Sequence, residues 1–383
     1  MELSSPIGMF IYPVAFLIVL TIVVFFHELG HFMVARWCGV SIDAFSIGFG
    51  KELFGRTDEK GTRWKVCLLP FGGYVKFAGD LGPASIPDRE KLQEFAAAAR
   101  DQGHDPDDLL HFKPLWQRAA VVSAGPIANF ILGIVIFSAI YMVRTEVYMD
   151  PVVGRVVEES VAEEAGFEVG DRILTISGRN IESFHELAML ISMSAETDIE
   201  IVVLRGAEEV VLNLAPRRVE IEDEFGNRQK IGQIGVSPRA AEEDIHRVRH
   251  GPVSAVAKGV TQTGVIIERT FVYLGRVISG KEDARQLGGP IRIAKYSGQM
   301  AQVSVLAVIG MIAVLSVSVG LINLFPIPLM DGGHLLYYAF EAVLGHPLSE
   351  RTQEVGFRIG LLIVLSTMVY ATVNDLIDIG VLG

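Results

Sequence analysis

Two histidines four residues apart, with a glutamate directly after the first, stand at the end of a long apolar run: Phe26-His27-Glu28-Leu29-Gly30-His31. On an α-helix, positions i and i+4 share one face, so both imidazoles can reach a single Zn2+ at ~2.0–2.1 Å. Glu28 is then placed to take a proton from a water that the cation activates. The competing reading is a polar helix end whose histidines merely reach for the lipid headgroups. Three ionisable side chains at the end of a bilayer run are costly, and that cost argues for function. Two histidines leave a ligand set short, because catalytic zinc usually takes three protein ligands. Asp331 closes the uncharged run 301–330, and Pro326 and Pro328 are expected to kink the helix just before it. A lone carboxylate there costs free energy unless it is paired or metal-bound. His27, His31 and Asp331 would form a set of two imidazoles and one carboxylate with one open position. His334 is the rival ligand, three residues on; the Gly332-Gly333 pair is expected to end the helix before it.

The elements that must position these residues are helices. Uncharged runs cover 7–26, 119–143, 301–330 and, more briefly, 359–374. A bilayer core of ~30 Å needs about 20 apolar residues as helix. The spans are therefore read as 7–35, 115–143, 301–331 and 359–379. The first run has no basic residue before it and ends in His27 and Glu28, so it does not read as a cleavable signal peptide. Twelve Lys and Arg lie from Arg36 to Arg118, and Arg351 and Arg358 sit between the last two spans. By the positive-inside rule the loops 36–114 and 332–358 are inside, and both termini and the long segment 144–300 are outside.

Composition agrees. Half of the 383 residues are hydrophobic, and the mean hydropathy of +0.40 is too high for an ordinary soluble chain. The net charge of -12 excludes a nucleic-acid binder, which needs a clustered basic surface. Two cysteines exclude a disulfide framework, and Cys38 and Cys67 both fall in an inside loop where thiols stay reduced.

Between the spans lies ordinary globular sequence. Residues 42–80 alternate aromatic and β-branched residues with glycines and read as a hairpin whose tip is the charged stretch Arg56 to Arg63. Residues 80–113 are Ala-rich and acidic, with a short helix candidate; His104 and His111 there read as solvated. Gly125-Pro126-Ile127-Ala128-Asn129 reads as a helix-packing motif, small residues allowing close approach and Asn129 bonding across the contact. Residues 144–236 alternate short strands and turns, with helices expected near Ser160 to Ala165 and Phe184 to Ser194. Residues 237–300 form a linker. Within it the stretch 251–280 is apolar but broken by Lys258, Glu268, Arg269 and Arg276, which suits an amphipathic helix on the outer face rather than a fifth span.

Three strings together resemble the site-2 protease family of intramembrane zinc metalloproteases: H-E-L-G-H in the first span, G-P-I-A-N in the second and N-L-F-P-I-P-x-x-D-G-G in the third. Phe45 to Gly50, Pro70 to Lys76 and Asp331 to Leu336 bring the chain nearest to the regulator of sigma-E protease group, and the resemblance covers nearly the whole length. It implies one Zn2+ on His27, His31 and Asp331, with Glu28 as general base. It implies a substrate-facing Asn323. It also implies that the hairpin dips back into the membrane beside the metal, which makes Gly48, Gly50, Gly72 and Gly73 the further substrate-binding candidates. Such a strand edge can hold a locally unwound segment by β-augmentation; an ordinary soluble hairpin on the cytosolic face is the plainer alternative. Segment 144–236 looks like a PDZ domain of the protease-associated kind, carried by Ala165-Gly166 and Gly170-Asp171-Arg172-Ile173-Leu174. The group typically carries two such domains, and this chain has room for one. The carboxylate-binding loop belongs at Asp150 to Gly154, whose sequence departs from the common form, so this domain binds peptide ends or acts as a size filter.

The expected protein is thus a polytopic α-helical membrane protein of four transmembrane helices, with a membrane-associated β-hairpin and an inserted α+β PDZ domain. Its expected activity is zinc-dependent cleavage of single-pass membrane proteins in the lipid bilayer of the bacterial inner membrane, after an earlier protease has shed their outer domain. Anti-sigma factors and signal-peptide remnants are the substrate classes that the resemblance implies. The alternatives are a non-catalytic PDZ scaffold and a zinc protease that cuts at the cytosolic face.

Overall fold

The computed structural model describes residues 6–78, 105–222, 228–280, 284, 288–379 and 381. In chain order these form α1 (Pro6–Trp37), β1 (Ile42–Thr57), β2 (Arg63–Phe77), α2 (Leu115–Val143), β3 (Glu146–Met149), β4 (Val153–Val156), α3 (Val161–Glu164), β5 (Arg172–Ile176), β6 (Arg179–Asn180) and α4 (Phe184–Met193). There follow β7 (Ile199–Arg205), β8 (Glu208–Leu214), β9 (Arg217–Glu222), β10 (Arg228–Gln233), β11 (Val236–Pro238), β12 (Ile245–Val248), α5 (Pro252–Ile278), α6 (Pro290–Val303), α7 (Val305–Asn323), α8 (Asp331–Leu344) and α9 (Glu350–Asp378). Two compact units result, 1–140 with 254–383, and the inserted 141–253. Among the described residues, α1, α2, α7 and α9 are long and apolar enough to cross a membrane.

In the first unit α1, α2 and α7 share a core of Val19, Val23, Leu132 and Ile312, flanked by Phe26, Ile136, Val308 and Val319. Between apolar helices in lipid the attraction is close packing, so small residues mark the crossings. Gly30 lies against Ala124 and Ala128, Gly133 against Val317, and Gly320 against Pro126 and Asn129. An ion pair ties α2 to α8. Arg118 donates to both Glu341 oxygens, at 2.5 and 3.1 Å, beneath the Tyr338 ring. Both partners are nearly buried, where loss of one typically costs about 3–5 kcal/mol.

His111 belongs to this corner. It sits in a 3₁₀ turn (Leu110–Phe112) just before α2, half-buried rather than solvated; His104 lies outside the described residues. Burial, then the Arg118 cation and His334, push its pKa down to about 4. Protonation therefore favours the unfolded chain, and the stability that is whole above about pH 6.5 is lost as pH falls toward 4. From pH 7 to pH 5 this one group is expected to remove about 2 kcal/mol. Unfolding midpoints in detergent at the two pH values check this: His111→Gln should flatten that part of the slope, and an unchanged slope would refute the assignment.

The hairpin differs from its expected form. β1 and β2 pair antiparallel, with Ile42 opposite Phe77 and Ile47 opposite Gly73, but Ala44 to Ile47 also pair with Arg63 to Val66. The first half of β1 is thus a central strand between two stretches of β2. The charged turn is not the far tip. Asp58 and Thr62 are held by Arg36, near the end of α1, at 2.7 and 2.6 Å, whereas Gly73 lies about two to three turns back along α1, beside Val24 and Glu28. Charges at the tip would have to enter the apolar layer. Folding the chain into two turns keeps them at the base and puts glycines at the other end. Phe45, fully buried, stacks on Trp64 and meets Phe25 and Phe32 of α1, which fixes the sheet to that helix.

The third expected span also differs. α7 stops at Asn323, and Asp331 opens α8 instead of closing a helix. Pro326 and Pro328 lack the N–H groups that a continuing helix needs. The Gly332-Gly333 pair does not end a helix either. It lets the first turn of α8 lie against the carbonyls of Leu324, Phe325 and Ile327, where a Cβ would overlap backbone. Residues 332–344, expected as loop, are helix. So is the stretch before the fourth expected span, since α9 starts at Glu350. α5 runs along the spans rather than across their ends: Gly259 touches Ser138 and Ile134 of α2, and Phe271 meets Phe325. The buried Asp375 of α9 accepts the backbone N–H groups of Gly289, Ile291 and Arg292 and so caps α6.

The second unit is α+β. Strands β6-β5-β7-β8 form one sheet, whose buried Ile173, Ile176, Ile201 and Val203 pack against Leu187 and Ile191 of α4. Ser183 caps α4 by accepting the Glu186 N–H. Asp171, buried, accepts Arg205 Nε and Nη2 at 2.8 Å each and the Glu168 N–H at 2.9 Å, which fixes the turn that carries Gly166 and Gly170. The 150–154 stretch is engaged internally: Val153 N–H donates to Asp171 O, and Asp150 meets His246 and Arg172.

Candidate metal centre

His27 and His31 project from one face of α1, as their spacing requires. Their Nε2 atoms are 3.2 Å apart. Asp331 Oδ2 is 3.2 Å from His27 Nε2 and 3.6 Å from His31 Nε2. Ligands ~2.0–2.1 Å from a tetrahedral cation lie about 3.3–3.4 Å from one another, so the three atoms outline one face of such a tetrahedron. Asp331 Oδ2 is buried and makes no well-formed hydrogen bond, which is the state of a ligand atom whose partner is a cation. The donor set, two imidazoles and a carboxylate, suits Zn2+ and leaves a fourth position. Among the described residues these three are the group that could hold a metal.

The surroundings orient the ligands. His31 Nδ1 is 2.9 Å from the Val121 carbonyl. A carbonyl only accepts, so Nδ1 carries the proton and Nε2 keeps its lone pair for the cation. His27 Nδ1 is 3.2 Å from the Asn129 carboxamide. Gly125 leaves room for the His31 ring, which a Cβ at that position would overlap. Glu28 is half-buried with His31, His27 and Asp331 as its charged neighbours, and its carboxylate accepts the Val75 N–H of β2. Glu28 Cγ also lies 3.2 Å from where a Gly73 Cβ would be.

The other expected site residues are placed differently. Gly73 touches Glu28. Gly48, Gly50 and Gly72 have positive φ of 85, 85 and 136° and shape the turns of the sheet; a Cβ on Gly72 would meet the Phe49 ring at 2.6 Å. Asn323 is the last residue of α7, half-buried, and its carboxamide has no hydrogen-bond partner among the described residues. His334 lies on α8 one turn past Asp331 and stands edge-on to Tyr337, outside the three-residue group. Val121, Gly125, Asn129 and Val75 were not legible as site residues. The G-P-I-A-N string held two of them, but as a packing motif it could not say that the packed object is an imidazole.

The family model for peptidase family M50 matches residues 15–367. The chain belongs to peptidase family M50. "Putative zinc metalloprotease Atu1380" of Agrobacterium fabrum is 46% identical over 365 residues, 95% of each chain. Metalloprotease MmpA of Caulobacter vibrioides is 40% identical over 388 residues, 97% of this chain and 96% of its own. The expected site-2 protease membership therefore holds, and with it the assignment as a membrane-bound zinc metalloendopeptidase. The non-catalytic scaffold falls away. A zinc enzyme of this family accounts for the buried imidazoles and carboxylates, which a scaffold has no use for.

Proposed function

We propose that this M50 peptidase holds its zinc on His27, His31 and Asp331 and cuts single-pass membrane proteins within or near their spans. The observation that carries the reading is the ligand triangle at the inner part of α1, among helices long enough to cross a bilayer. Held by these three residues, zinc would supply a Lewis acid for the scissile carbonyl and lower the pKa of water toward about 7. Glu28 accepts the proton of the attacking water and passes it to the leaving amine; the Val75 N–H keeps its carboxylate oriented. A helical substrate hides its amides, so it must first be unwound. The strand edge around Gly73 and the free carboxamide of Asn323 would hold the freed backbone, with Gly48, Gly50 and Gly72 shaping that sheet.

In this reading the protein lies in the bacterial inner membrane with both termini and unit 141–253 on the periplasmic side. That unit is a single PDZ domain which admits substrates already trimmed by another protease, by binding their new ends or by excluding bulk. Anti-sigma factors and signal-peptide remnants fit that requirement. The test is cleavage of a tagged single-pass protein, co-reconstituted in vesicles, with and without its outer domain, and mass-spectrometric mapping of the cut. A cut inside the span, faster for the trimmed form, is expected. Cuts confined to the cytosolic flank would replace this reading with that of a face-acting protease.

A further inference from the structure

We propose that Asn129 is a positioning residue for the metal centre: its carboxamide oxygen accepts the Nδ1–H of His27 and thereby holds the His27 tautomer whose Nε2 lone pair faces His31 and Asp331. The inference rests on those three residues being the zinc ligands. It goes beyond the packing role that the G-P-I-A-N string suggests.

Asn129 is fully buried, at 0% exposure, in the middle of α2. Its backbone is fixed by α7: Ser316 Oγ donates to the Asn129 carbonyl at 2.8 Å, and Gly320 lies against its Cβ. The side chain reaches His27 from there, and in the structure its Nδ2 end is 3.2 Å from His27 Nδ1. The two ends of a carboxamide have the same shape, and a half-turn exchanges donor for acceptor. As placed, this one leaves Oδ1 buried without a hydrogen-bond partner, so no contact of the far end holds the carboxamide in this orientation against the half-turn. With the nitrogen toward His27, Nδ1 must accept, and the ring proton moves to Nε2, into the ligand triangle. With the oxygen toward His27, Nδ1 carries the proton and Nε2 offers its lone pair. Only the second arrangement leaves all three atoms of the triangle able to ligate.

His31 has no such choice, because Val121 presents a carbonyl. The two ligands thus differ. One is locked in the ligating tautomer by backbone, the other by a side chain that substitution can remove. A partner of this kind typically contributes 10–100-fold to metal affinity.

The experiment uses the full chain in detergent, with zinc affinity read by competition against a chromophoric chelator. Asn129→Leu fills a similar volume without polar atoms and is expected to weaken zinc binding roughly 10–100-fold. Asn129→Asp has the same shape and only accepts, so it is expected to bind zinc at least as tightly as the parent. A packing role predicts the reverse order, because the buried charge then has nothing to do. Nitrogen-15 spectra of the zinc-loaded parent, labelled at histidine, should show both ligand rings protonated at Nδ1. Zinc affinity of Asn129→Leu within about threefold of the parent, short of the expected 10-fold, or weaker binding by Asn129→Asp, overturns the proposal. If Asn129→Leu does not fold, Asn129→Asp and the spectra decide. A parent chain that takes up no zinc would instead sink the ligand assignment itself.

Discussion

Glu28→Gln is expected to keep one zinc per chain and to lose turnover. Glutamine has the shape of glutamate, and its carbonyl end can still accept the Val75 N–H. It cannot hold a proton between the attacking water and the leaving amine. General-base catalysis typically contributes 10²–10⁴-fold, and a fall of that order is expected in kcat, with metal content and thermal midpoint at or above those of the parent. The stability side has a reason of its own: the substitution removes one of the two neighbouring carboxylates, Glu28 and Asp331, at the centre. Initial rates on a tagged substrate, together with metal analysis of the same preparation, check both halves. Turnover within threefold of the parent, against the expected 10²–10⁴, would exclude Glu28 as the base.

Gly125→Ala is expected to abolish tight zinc binding although it adds only one methyl group. That methyl would occupy the space of the His31 imidazole. The ring cannot slide away, because its Nδ1 is tied to Val121, one turn back on the same helix as Gly125. It must change rotamer, and His31 Nε2 then leaves the triangle. The loss should exceed the roughly 10–100-fold that removal of a supporting hydrogen bond causes. Gly133→Ala is the matched control. There the new Cβ meets Val317 and the Ala313 carbonyl in the bundle core, at an overpacking cost of about 1–3 kcal/mol and with no ligand displaced. Chelator competition and thermal unfolding on the two variants separate the effects: both lose stability, and only Gly125→Ala loses zinc. Parent-like zinc affinity in Gly125→Ala would show that the imidazole has another way to sit.

The sequence alone determined what is local or obligatory by composition. Helical periodicity puts His27 and His31 on one face whatever surrounds them. The cost of charge in an apolar run marks Glu28 and Asp331 as functional before any contact is known. The uncharged runs locate the four helices that, among the described residues, are long and apolar enough to span. Turn chemistry locates β4, β5, β7 and β8 of unit 141–253 but not β12, which falls in the stretch read as linker and pairs with β3. Tertiary structure decided what depends on which elements touch. That Asp331 opens a helix, and does not close one, follows from α8 lying against the carbonyls of residues 324–327. That the charged turn of the hairpin sits at its base follows from Arg36. That a glycine and an asparagine in a packing motif serve two imidazoles follows from the way α1 and α2 cross. Side-chain period and burial cost are properties of a segment and can be read along it. A vacancy for a ring, a hydrogen-bond partner about a hundred residues away and the second partner of a strand are properties of a pair, and they exist only once the chain has brought its parts together.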